Sequence, residues 1–485
     1  MRIRGNALGS GLLALGVVLL LAGADWPQFR GPHGNGLEPD NHPLPTDIGP
    51  KSHVVWQTPL PPGHSSPIVA GDRIFLTADR DGQLLTIALD RTTGKVLWER
   101  EAPHEKLEAV HRIGSHAQST PVADGERVVS FFGSCGLFCY DYAGKLQWSI
   151  PMGPFNNDFG AGSSPIIVDD SVVLCQDHDT GSFLMAVDKR TGARQWTTPR
   201  TEFPRSFSTP AVWEVNGRKQ IVVAATLRIV GYDLATGKEV WTVRGFSRVV
   251  TMTPVVGSDG VLYAAGWAAG ADSEDIIRLD PFDETLKKYD KNADRQLQEK
   301  ELPEEGPISS RFSQIDRDKS GDIDETEYNG MRRAFETAQN VILAVRPGGE
   351  GDITETHVLW RYQKMLPFCA SPLFVNPDGK GESKEPPLLF LIRDGGILST
   401  LNAKTGRPIK QRRITATHDY YASPVCGDGK VYLLNEDGVL TVIKAVGEWE
   451  ELASADFGEP TYGTPALVDG RIYLRTASRL YCFGE

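Results

Sequence analysis

Cysteine is scarce in this chain, and positive charge is outnumbered by negative charge. Its 485 residues include six cysteines, with no adjacent Cys-Cys pair and no C-x-x-C motif. Scattered cysteines in a large domain are usually small buried hydrophobic residues, and we predict that role for them. Asp and Glu outnumber Lys and Arg by 63 to 51, which gives a net charge of −12. The chain shows no basic stripe, so nucleic acid is not expected as a partner.

Long apolar runs are missing outside the first 24 residues. There, two arginines precede a short apolar stretch, residues 11–21, and the small-residue site Ala22-Gly23-Ala24. This order is typical of a cleaved signal peptide, and the stretch is short for a membrane-spanning helix. We predict export to the periplasm or the extracellular space, with no integral membrane segment after signal cleavage.

A Ser/Thr-Pro step recurs eight times along the chain. Its hydroxyl residues are Ser66, Thr120, Ser164, Thr209, Thr253, Ser371, Ser423 and Thr464. Six of the seven intervals measure 41 to 54 residues, whereas the interval from Thr253 to Ser371 measures 118. A period of roughly 40–50 residues indicates one supersecondary unit used repeatedly. The long interval indicates an insertion in the fifth unit.

Each unit has the composition of a four-stranded antiparallel sheet. In the first unit, a strand follows Pro67, and three further β-type runs alternate with Gly-containing turns, at residues 74–76, 84–89 and 96–98. Four-stranded units at this period predict an all-β, eight-bladed β-propeller. The last unit has room for only three strands. We therefore predict that residues 54–56 supply its fourth strand and close the ring.

Most units end in a D-x-x-T-G-x-x-x-W phrase. Six of the ten tryptophans match its last position: Trp56, Trp98, Trp148, Trp196, Trp241 and Trp360. In the sixth unit Lys410 replaces the tryptophan. A large aromatic side chain at one fixed outer-strand position predicts packing between neighbouring blades.

The long interval contains two helical patterns, each followed by an acidic loop. Apolar residues recur there at i, i+4 and i+7: Phe282, Leu286 and Tyr289, then Ile308, Phe312 and Ile315. Residues 316–327 match the twelve-residue EF-hand calcium loop, with Gly321 at its sharp turn. The predicted calcium ligands are Asp316, Asp318, Ser320, Asp322, Asp324 and Glu327.

The first acidic loop, residues 290–301, follows the EF-hand pattern less closely. Its predicted ligands are Asp290, Asn292, Asp294, Gln296 and Glu301. Arg295 stands where the loop needs glycine, and a left-handed backbone there costs about 1–2 kcal/mol, so weaker calcium binding is expected. Leu297 and Ile323 occupy equivalent loop positions and are expected to pair as a short strand. We expect calcium to order this segment rather than to act as a signal.

The D-x-x-T-G-x-x-x-W phrase resembles the repeat of the pyrroloquinoline-quinone-type (PQQ-like) propellers, over about residues 25–272 and 341–485. The opening D-W-P-Q-F-R-G-P of residues 25–32 also resembles the start of exported members. The resemblance implies the propeller fold and two kinds of relative, BamB and the quinoprotein alcohol dehydrogenases. The dehydrogenases carry a Cys-Cys pair over the quinone, which this chain lacks, so PQQ is not an expected cofactor. BamB has a lipidation cysteine and no EF-hand pair, so its assembly role does not transfer.

Polar residues precede six of the Ser/Thr-Pro steps and are candidates for a ligand site at the channel mouth. They are His64, His116, Asp158, Arg205, Arg248 and His418. At similar offsets in six units they are expected to converge on one ring. The alternative is ordinary loop residues satisfied by backbone and water. Their spacing contains no nucleophile–base pair, and no catalytic residue is predicted.

These observations divide the chain into five segments. They are a signal peptide (1–24), an N-terminal leader (25–50), a first part of the propeller (51–272), an EF-hand pair (273–340) and a second part of the propeller (341–485). We predict an exported calcium-binding propeller that acts as a non-catalytic scaffold for another protein or a cell-envelope component. The alternative is a quinoprotein-type oxidoreductase, or a hydrolase, that uses the central channel.

Overall fold

The computed structural model describes residues 24–105, 107–156, 158–272, 276–377 and 385–485. The predicted signal peptide lies outside these residues except for Ala24. Eight mainly antiparallel sheets surround a central channel, and each forms one blade. The predicted all-β, eight-bladed propeller is therefore confirmed. Within the described ranges, no helix is long and apolar enough to cross a membrane.

The first four blades run from the innermost to the outermost strand in chain order, after a strand β1 (Val54–Pro59). Blade 1 comprises β2 (Ile68–Ala70), β3 (Arg73–Arg80), β4 (Gln83–Asp90) and β5 (Val96–Glu101). Blade 2 comprises β6 (Val122–Ala123), β7 (Arg127–Phe131), β8 (Leu137–Asp141) and β9 (Leu146–Ile150), with a 3-10 turn at Gly133–Cys135. Blade 3 comprises β10 (Ile166–Val168), β11 (Ser171–Gln176), β12 (Phe183–Asp188) and β13 (Arg194–Pro199). Blade 4 comprises β14 (Ala211–Val215), β15 (Arg218–Ala225), β16 (Arg228–Asp233) and β17 (Glu239–Arg244).

Blade 5 is interrupted between its second and third strands, as predicted. It begins with β18 (Val255–Val256) and β19 (Leu262–Gly266). The insertion then contains α1 (Phe282–Tyr289), β20 (Leu297–Gln298), α2 (Phe312–Ile315), β21 (Asp322–Ile323) and α3 (Glu325–Thr337), with 3-10 turns at Glu299–Glu301 and Ser309–Arg311. The blade resumes with β22 (Val341–Val345), β23 (Gly351–Asp352), α4 (Thr354–His357) and β24 (Val358–Tyr362). Of these, β23 joins blade 4, where it pairs in parallel with β17.

The last three blades complete the ring. Blade 6 comprises β25 (Leu373–Val375), β26 (Leu388–Arg393), β27 (Ile397–Asn402) and β28 (Pro408–Arg413). Blade 7 comprises β29 (Val425–Gly427), β30 (Lys430–Leu434), β31 (Val439–Lys444) and β32 (Glu451–Asp456). Blade 8 comprises β33 (Ala466–Val468), β34 (Arg471–Arg475) and β35 (Arg479–Phe483). Its outermost strand is β1, which pairs antiparallel with β35, so the predicted closure by the N-terminal strand is confirmed.

Burial along the strands explains the sequence pattern of a blade. Middle strands such as β4 are buried on both faces because a neighbouring blade packs against each side, and they read as continuous apolar runs. Outermost strands such as β1 and β32 alternate between half-buried and exposed residues, since one of their faces meets solvent. Five of the six cysteines are buried, Cys369 is partly buried, and none is paired.

The eight Ser/Thr-Pro steps form a hydrogen-bonded ring around the channel. The backbone N–H of Ser66 donates to the hydroxyl of Thr120 in the next blade at 3.0 Å, and Thr120 donates to Ser164 at 3.0 Å. Five further links continue the pattern, from Ser164 to Thr209, Thr253 to Ser371, Ser371 to Ser423, Ser423 to Thr464 and Thr464 back to Ser66. All eight residues are buried, so each link satisfies a backbone donor that water does not reach.

The junction between blades 4 and 5 breaks this pattern. Thr209 and Thr253 are not joined in the described structure. Instead, the Phe207 N–H donates to the Val250 carbonyl at 2.7 Å, and Ser206 forms a parallel bridge with Val250. The altered junction is the one beside the insertion.

The repeat tryptophans pack against the following blade, as predicted. Their indole N–H groups donate to backbone carbonyls near the next blade's turn, at 2.9 to 3.1 Å: Trp98 to Tyr142, Trp148 to Lys189, Trp196 to Leu234 and Trp360 to Ala403. The indole also lies against the glycine of that turn. A Cβ added to Gly237, whose φ is +67°, would lie 2.4 Å from Trp196. The turn glycine is therefore required by backbone conformation and by the close approach of the indole.

Three positions of the phrase use different contacts. Trp56 packs against Gly94 of blade 1, but its indole N–H has no acceptor within the described structure. In blade 6 the Lys410 ammonium replaces the indole: it donates to the Trp449 carbonyl and lies 4.2 Å from the centre of the Trp449 ring. Trp241 is buried between blades 4 and 5, but its indole N–H donates to Gln220 of its own blade. At this point β23 pairs with β17 along the outer edge of blade 4, with Gly351 opposite Trp241.

The turn glycine offers a direct test of the contact between blades. We expect Gly237→Ala to lower the free energy of unfolding more than Gly217→Ala. Both glycines have positive φ, at +67° and +74°, but a Cβ at Gly217 has nothing within 4 Å. Both variants therefore share the backbone cost, and overpacking against the indole adds about 1–3 kcal/mol to the first alone. Urea unfolding followed by tryptophan fluorescence measures the difference, and equal midpoints would contradict the proposed contact.

Candidate functional site

The central channel holds a cavity of about 230 Å³. All eight hydroxyl residues of the Ser/Thr-Pro ring line it, together with aromatic side chains: Phe29, Phe159, Phe207, Phe368, Tyr421 and Tyr462. Seven of the hydroxyl oxygens accept a hydrogen bond within the ring. These seven oxygens therefore join neighbouring blades, and the cavity wall between them is largely apolar.

His64 is the predicted ligand residue that lies at this cavity. Its imidazole stacks on Tyr462, with ring centres 3.7 Å apart and planes inclined by 18°. Burial, and after it the positive charge of Arg475, lower the pKa of His64 to about 4. A neutral imidazole is therefore part of the cavity wall at neutral pH.

The other five predicted ligand residues do not converge with His64. The His116 imidazole donates from Nε2 to the Glu108 carbonyl at 2.7 Å, and His418 is exposed beside Asp437 at 3.2 Å. Asp158, Arg205 and Arg248 lie near the insertion instead. The expected single ring is therefore not formed. Asp158 pairs with Lys319 of the insertion, and Arg205 donates to the Ser313 carbonyl. Arg248 lies over the Phe335 ring of the insertion.

The second acidic loop brings three carboxylates together. Oxygens of Asp316, Asp318 and Glu327 lie within 4.8 Å of one another. The loop backbone holds them: Ser320 and Gly321 N–H groups donate to the two Asp316 oxygens at 3.0 Å. The Arg317 N–H donates to Glu327 at 2.8 Å. Gly321 has a φ of +91°, the left-handed conformation expected at the sharp turn.

The remaining predicted ligands of this loop, Ser320, Asp322 and Asp324, lie between Asp318 and Glu327 in the sequence. The Ser320 hydroxyl donates to the Asp322 carbonyl at 3.0 Å, and Asp324 caps α3 by accepting from the Glu327 N–H at 2.8 Å. Burial raises the pKa of Glu327. Hydrogen bonding from Ser320, whose backbone N–H donates to Asp318 at 3.0 Å, lowers the pKa of Asp318. Carboxylate, hydroxyl and carbonyl oxygens are the donors that suit a hard divalent cation such as calcium.

The first acidic loop has the same backbone path but less convergent carboxylates. Arg295 is left-handed at φ +64°, as its position in the pattern predicts. The Asp294 carboxylate accepts from the side-chain amides of Asn292 at 2.8 Å and Gln298 at 3.0 Å. Glu301 accepts from the Lys291 and Gln298 N–H groups. Of the two loops, only the second brings at least three carboxylates together within the described residues. Leu297 pairs with Ile323 as expected.

The second loop is docked on the rim of blade 3. The Arg317 guanidinium donates to the Asp179 carbonyl at 2.8 Å, and its own carbonyl accepts from the Asn156 side chain at 2.9 Å. Arg205 donates to the Ser313 carbonyl at 3.1 Å while it is paired with the buried Asp179. The insertion is therefore oriented by contacts with propeller residues, which lie outside the inserted segment.

The leader is a structural element whose role the repeat pattern did not reveal. Trp26 is fully buried and exchanges backbone hydrogen bonds with Val69 of blade 1. Arg30, also fully buried, donates to the Pro372 carbonyl of blade 6 at 2.8 Å. Burial lowers the pKa of Arg30 to about 9. Because blades 1 and 6 lie far apart in an eight-membered ring, the leader spans one face of the propeller and brings Phe29 to the cavity.

The depressed pKa of His64 makes stability depend on pH. The ordinary value is 6.5 and the folded value about 4, so the neutral ring contributes stability that is present above pH 6.5 and lost as pH falls towards 4. One pKa unit corresponds to about 1.4 kcal/mol, which limits the loss to roughly 3 kcal/mol. We expect His64→Gln to lose less stability than the wild type between pH 7 and pH 5. Urea unfolding at both pH values tests this, and the exposed His418→Gln, as control, should behave as the wild type.

Residues 50–160 and 114–271 match the model of a protein family described as "Outer membrane protein assembly factor BamB". No curated protein sequence matches the chain. Several solved structures share its fold. BamB from Moraxella catarrhalis is 13% identical with a TM-score of 0.55, covering 89% of this chain and 99% of its own.

Two further structures extend the comparison. A europium-containing methanol dehydrogenase is 11% identical with a TM-score of 0.50, over 95% of this chain and 98% of its own. The computationally designed Ika8 protein is 10% identical with a TM-score of 0.52, over 88% and 98%. At these identities the likeness is one of fold. The chain is an eight-bladed β-propeller, and its residues 50–271 match the BamB family model.

Proposed function

We propose that this protein is an exported calcium-binding β-propeller that serves as a non-catalytic binding scaffold. The observation that carries the calcium proposal is the cluster of Asp316, Asp318 and Glu327, whose oxygens lie within 4.8 Å. Three carboxylates this close repel one another. A divalent cation bound among them would relieve that repulsion, and loop N–H groups already donate to all three carboxylates.

Calcium binding at this loop would stabilise the insertion and its contact with the propeller. Glu327 lies in the first turn of α3 and forms a reciprocal capping box with Asp324, and Arg317 of the same loop donates to blade 3. A cation that fixes the carboxylates would therefore fix both the start of the helix and the docked arginine. Calcium is available outside the cell at concentrations that suit extracellular sites.

A scaffold role is supported by how the channel is built. The hydroxyls that line the central cavity are engaged between blades, and His64 stacks on Tyr462 rather than beside a nucleophile. The chain has no adjacent Cys-Cys pair. The match to a family described as an outer-membrane assembly factor favours a protein or cell-envelope component as the partner, and export through the predicted signal peptide would bring the protein to that compartment.

The calcium proposal predicts unequal effects of two glutamate substitutions. Glu327→Gln removes the predicted bidentate ligand of the second loop. Since the loss of an outer-shell partner alone costs roughly 10–100-fold in metal affinity, we expect at least that loss at this site. Glu305→Gln, an exposed position of the insertion outside both loops, is the matched control. Calorimetric calcium titration of the mature protein measures the affinities.

The same titration can be followed by limited proteolysis. Calcium is expected to slow cleavage within residues 273–340 of the wild type and of Glu305→Gln, but not of Glu327→Gln. A chelator should restore rapid cleavage. If the wild type binds no calcium, or if a chelator leaves cleavage of the insertion unchanged, the proposal is wrong.

The scaffold proposal also predicts the outcome of a cofactor test. Purified mature protein mixed with pyrroloquinoline quinone and calcium, then desalted, should retain no quinone absorbance. A stoichiometric retained absorbance would favour the oxidoreductase alternative instead. The calcium titration above is independent of this result, so the two parts of the proposal can fail separately.

A further inference from the structure

A second cavity, of about 680 Å³, lies between the insertion and the propeller. Six arginines line it. Four come from blades 3 to 5 and their loops and two from the insertion: Arg205, Arg228, Arg244 and Arg248, then Arg317 and Arg333. The acidic lining residues are Glu202 and Glu327. The lining therefore carries an excess of positive charge in a chain whose net charge is −12.

Three of these arginines are neutralised by carboxylates of the protein. Arg228 pairs with Glu202 and with Glu239. Arg244 pairs with Asp352 at 2.9 Å. Arg205 pairs with Asp179 at 2.6 Å and with Asp158 at 3.2 Å. The positive charge of these three arginines is therefore largely balanced by protein carboxylates and contributes little to binding an anionic ligand.

The other three arginines have no carboxylate partner within the described structure. Arg317 donates to the backbone carbonyls of Asp179 and Thr201. Arg333 is exposed on α3. Arg248 donates to the Ala269 carbonyl at 3.0 Å, and its Nε is buried with no acceptor. Burial of a cation is unfavourable unless an anion compensates it.

Arg248 is the centre of this uncompensated charge. Its guanidinium lies 5.1 Å from the centre of the Phe335 ring, and that of Arg311 lies 5.8 Å from the same ring. Burial, and after it the charges of Arg311 and Arg205, lower the pKa of Arg248 to about 10. The group stays charged at neutral pH, although its surroundings disfavour that charge.

The size and walls of the cavity indicate the kind of anion that would fit. A volume of about 680 Å³ is within the range of small-molecule sites, roughly 300–1,000 Å³. Apolar side chains share the lining with the arginines, among them Phe203, Leu227 and Met331. Arginines without a carboxylate partner line both walls of the cavity: Arg248 on the propeller side, and Arg317 and Arg333 on the insertion side. Guanidinium groups bind carboxylates and phosphates with two parallel hydrogen bonds.

We propose that this cavity binds a small organic dianion, a dicarboxylate or an organic phosphate, held between Arg248 of the propeller and the unpaired arginines of the insertion. The ligand would link the insertion to the propeller. The site is distinct from the central cavity, since the lining of the two shares only Val249.

Isothermal titration calorimetry of the mature protein at low ionic strength tests the proposal. The probes are succinate and phenyl phosphate, with succinamide and phenol as their uncharged counterparts. We expect saturable binding of at least one dianion and none of the uncharged compounds. Binding of succinate alone would identify a dicarboxylate site, and binding of phenyl phosphate alone a phosphate site.

Substitutions locate the binding. Loss of a charge-assisted contact is expected to weaken dianion binding by at least about tenfold in Arg248→Gln. Arg190→Gln, an exposed arginine beside Asp170 on blade 3, is the control and should bind as the wild type. If Arg248→Gln does not fold, as judged by circular dichroism, Arg333→Gln takes its place under the same criterion. Absence of saturable dianion binding, or wild-type affinity in the arginine variant used, would overturn the assignment.

Discussion

Hydrogen bonds from one Ser/Thr-Pro step to the next hold the innermost strands of this propeller together. Each link joins a buried backbone N–H to a buried hydroxyl about 3.0 Å away. A single such bond contributes only about 1 kcal/mol net. An unsatisfied buried N–H would be costly, however, and seven links in sequence make every blade depend on its neighbour. The last link, from Thr464 to Ser66, joins blade 8 to blade 1, and β1 completes blade 8 by pairing with β35.

The outer part of the molecule uses a second periodic contact. Indole N–H groups donate to the following blade, and turn glycines leave room for the rings. Because the inner ring and the outer tryptophans repeat together, each blade is fixed at both its inner and its outer edge. The contacts change where the insertion interrupts the repeat. There a backbone contact replaces the link between Thr209 and Thr253, and β23 covers the edge beside Trp241.

The insertion lies next to this altered junction and shapes the two proposed sites. Its own apolar core forms from residues of the segment alone, including Phe282, Ile315 and Phe335. Its position on the propeller depends on polar contacts, such as Arg317 with the Asp179 carbonyl. The result is a calcium-type loop and an arginine-lined cavity on adjoining surfaces, with Glu327 at the boundary of both.

The sequence alone was sufficient for the architecture because that architecture is periodic. Ser/Thr-Pro steps at a regular interval predicted eight blades, the short last unit predicted closure by β1, and the 118-residue interval located the insertion. The backbone conformation of the acidic loops could also be predicted, because it is determined within a few residues. Arg295 and Gly321 have the predicted left-handed conformation.

Only the tertiary structure decided which polar residues meet. His64 reaches the central cavity, whereas Arg205 and Arg248, at comparable offsets in their units, line the cavity beneath the insertion. The leader likewise crosses to blade 6 through Arg30, a contact between residues 342 positions apart. Periodicity determines the local path of each unit, but contacts between distant segments depend on how an aperiodic insertion and an aperiodic leader dock. Their docking depends on the shape and charge of the whole ring, which no single segment encodes.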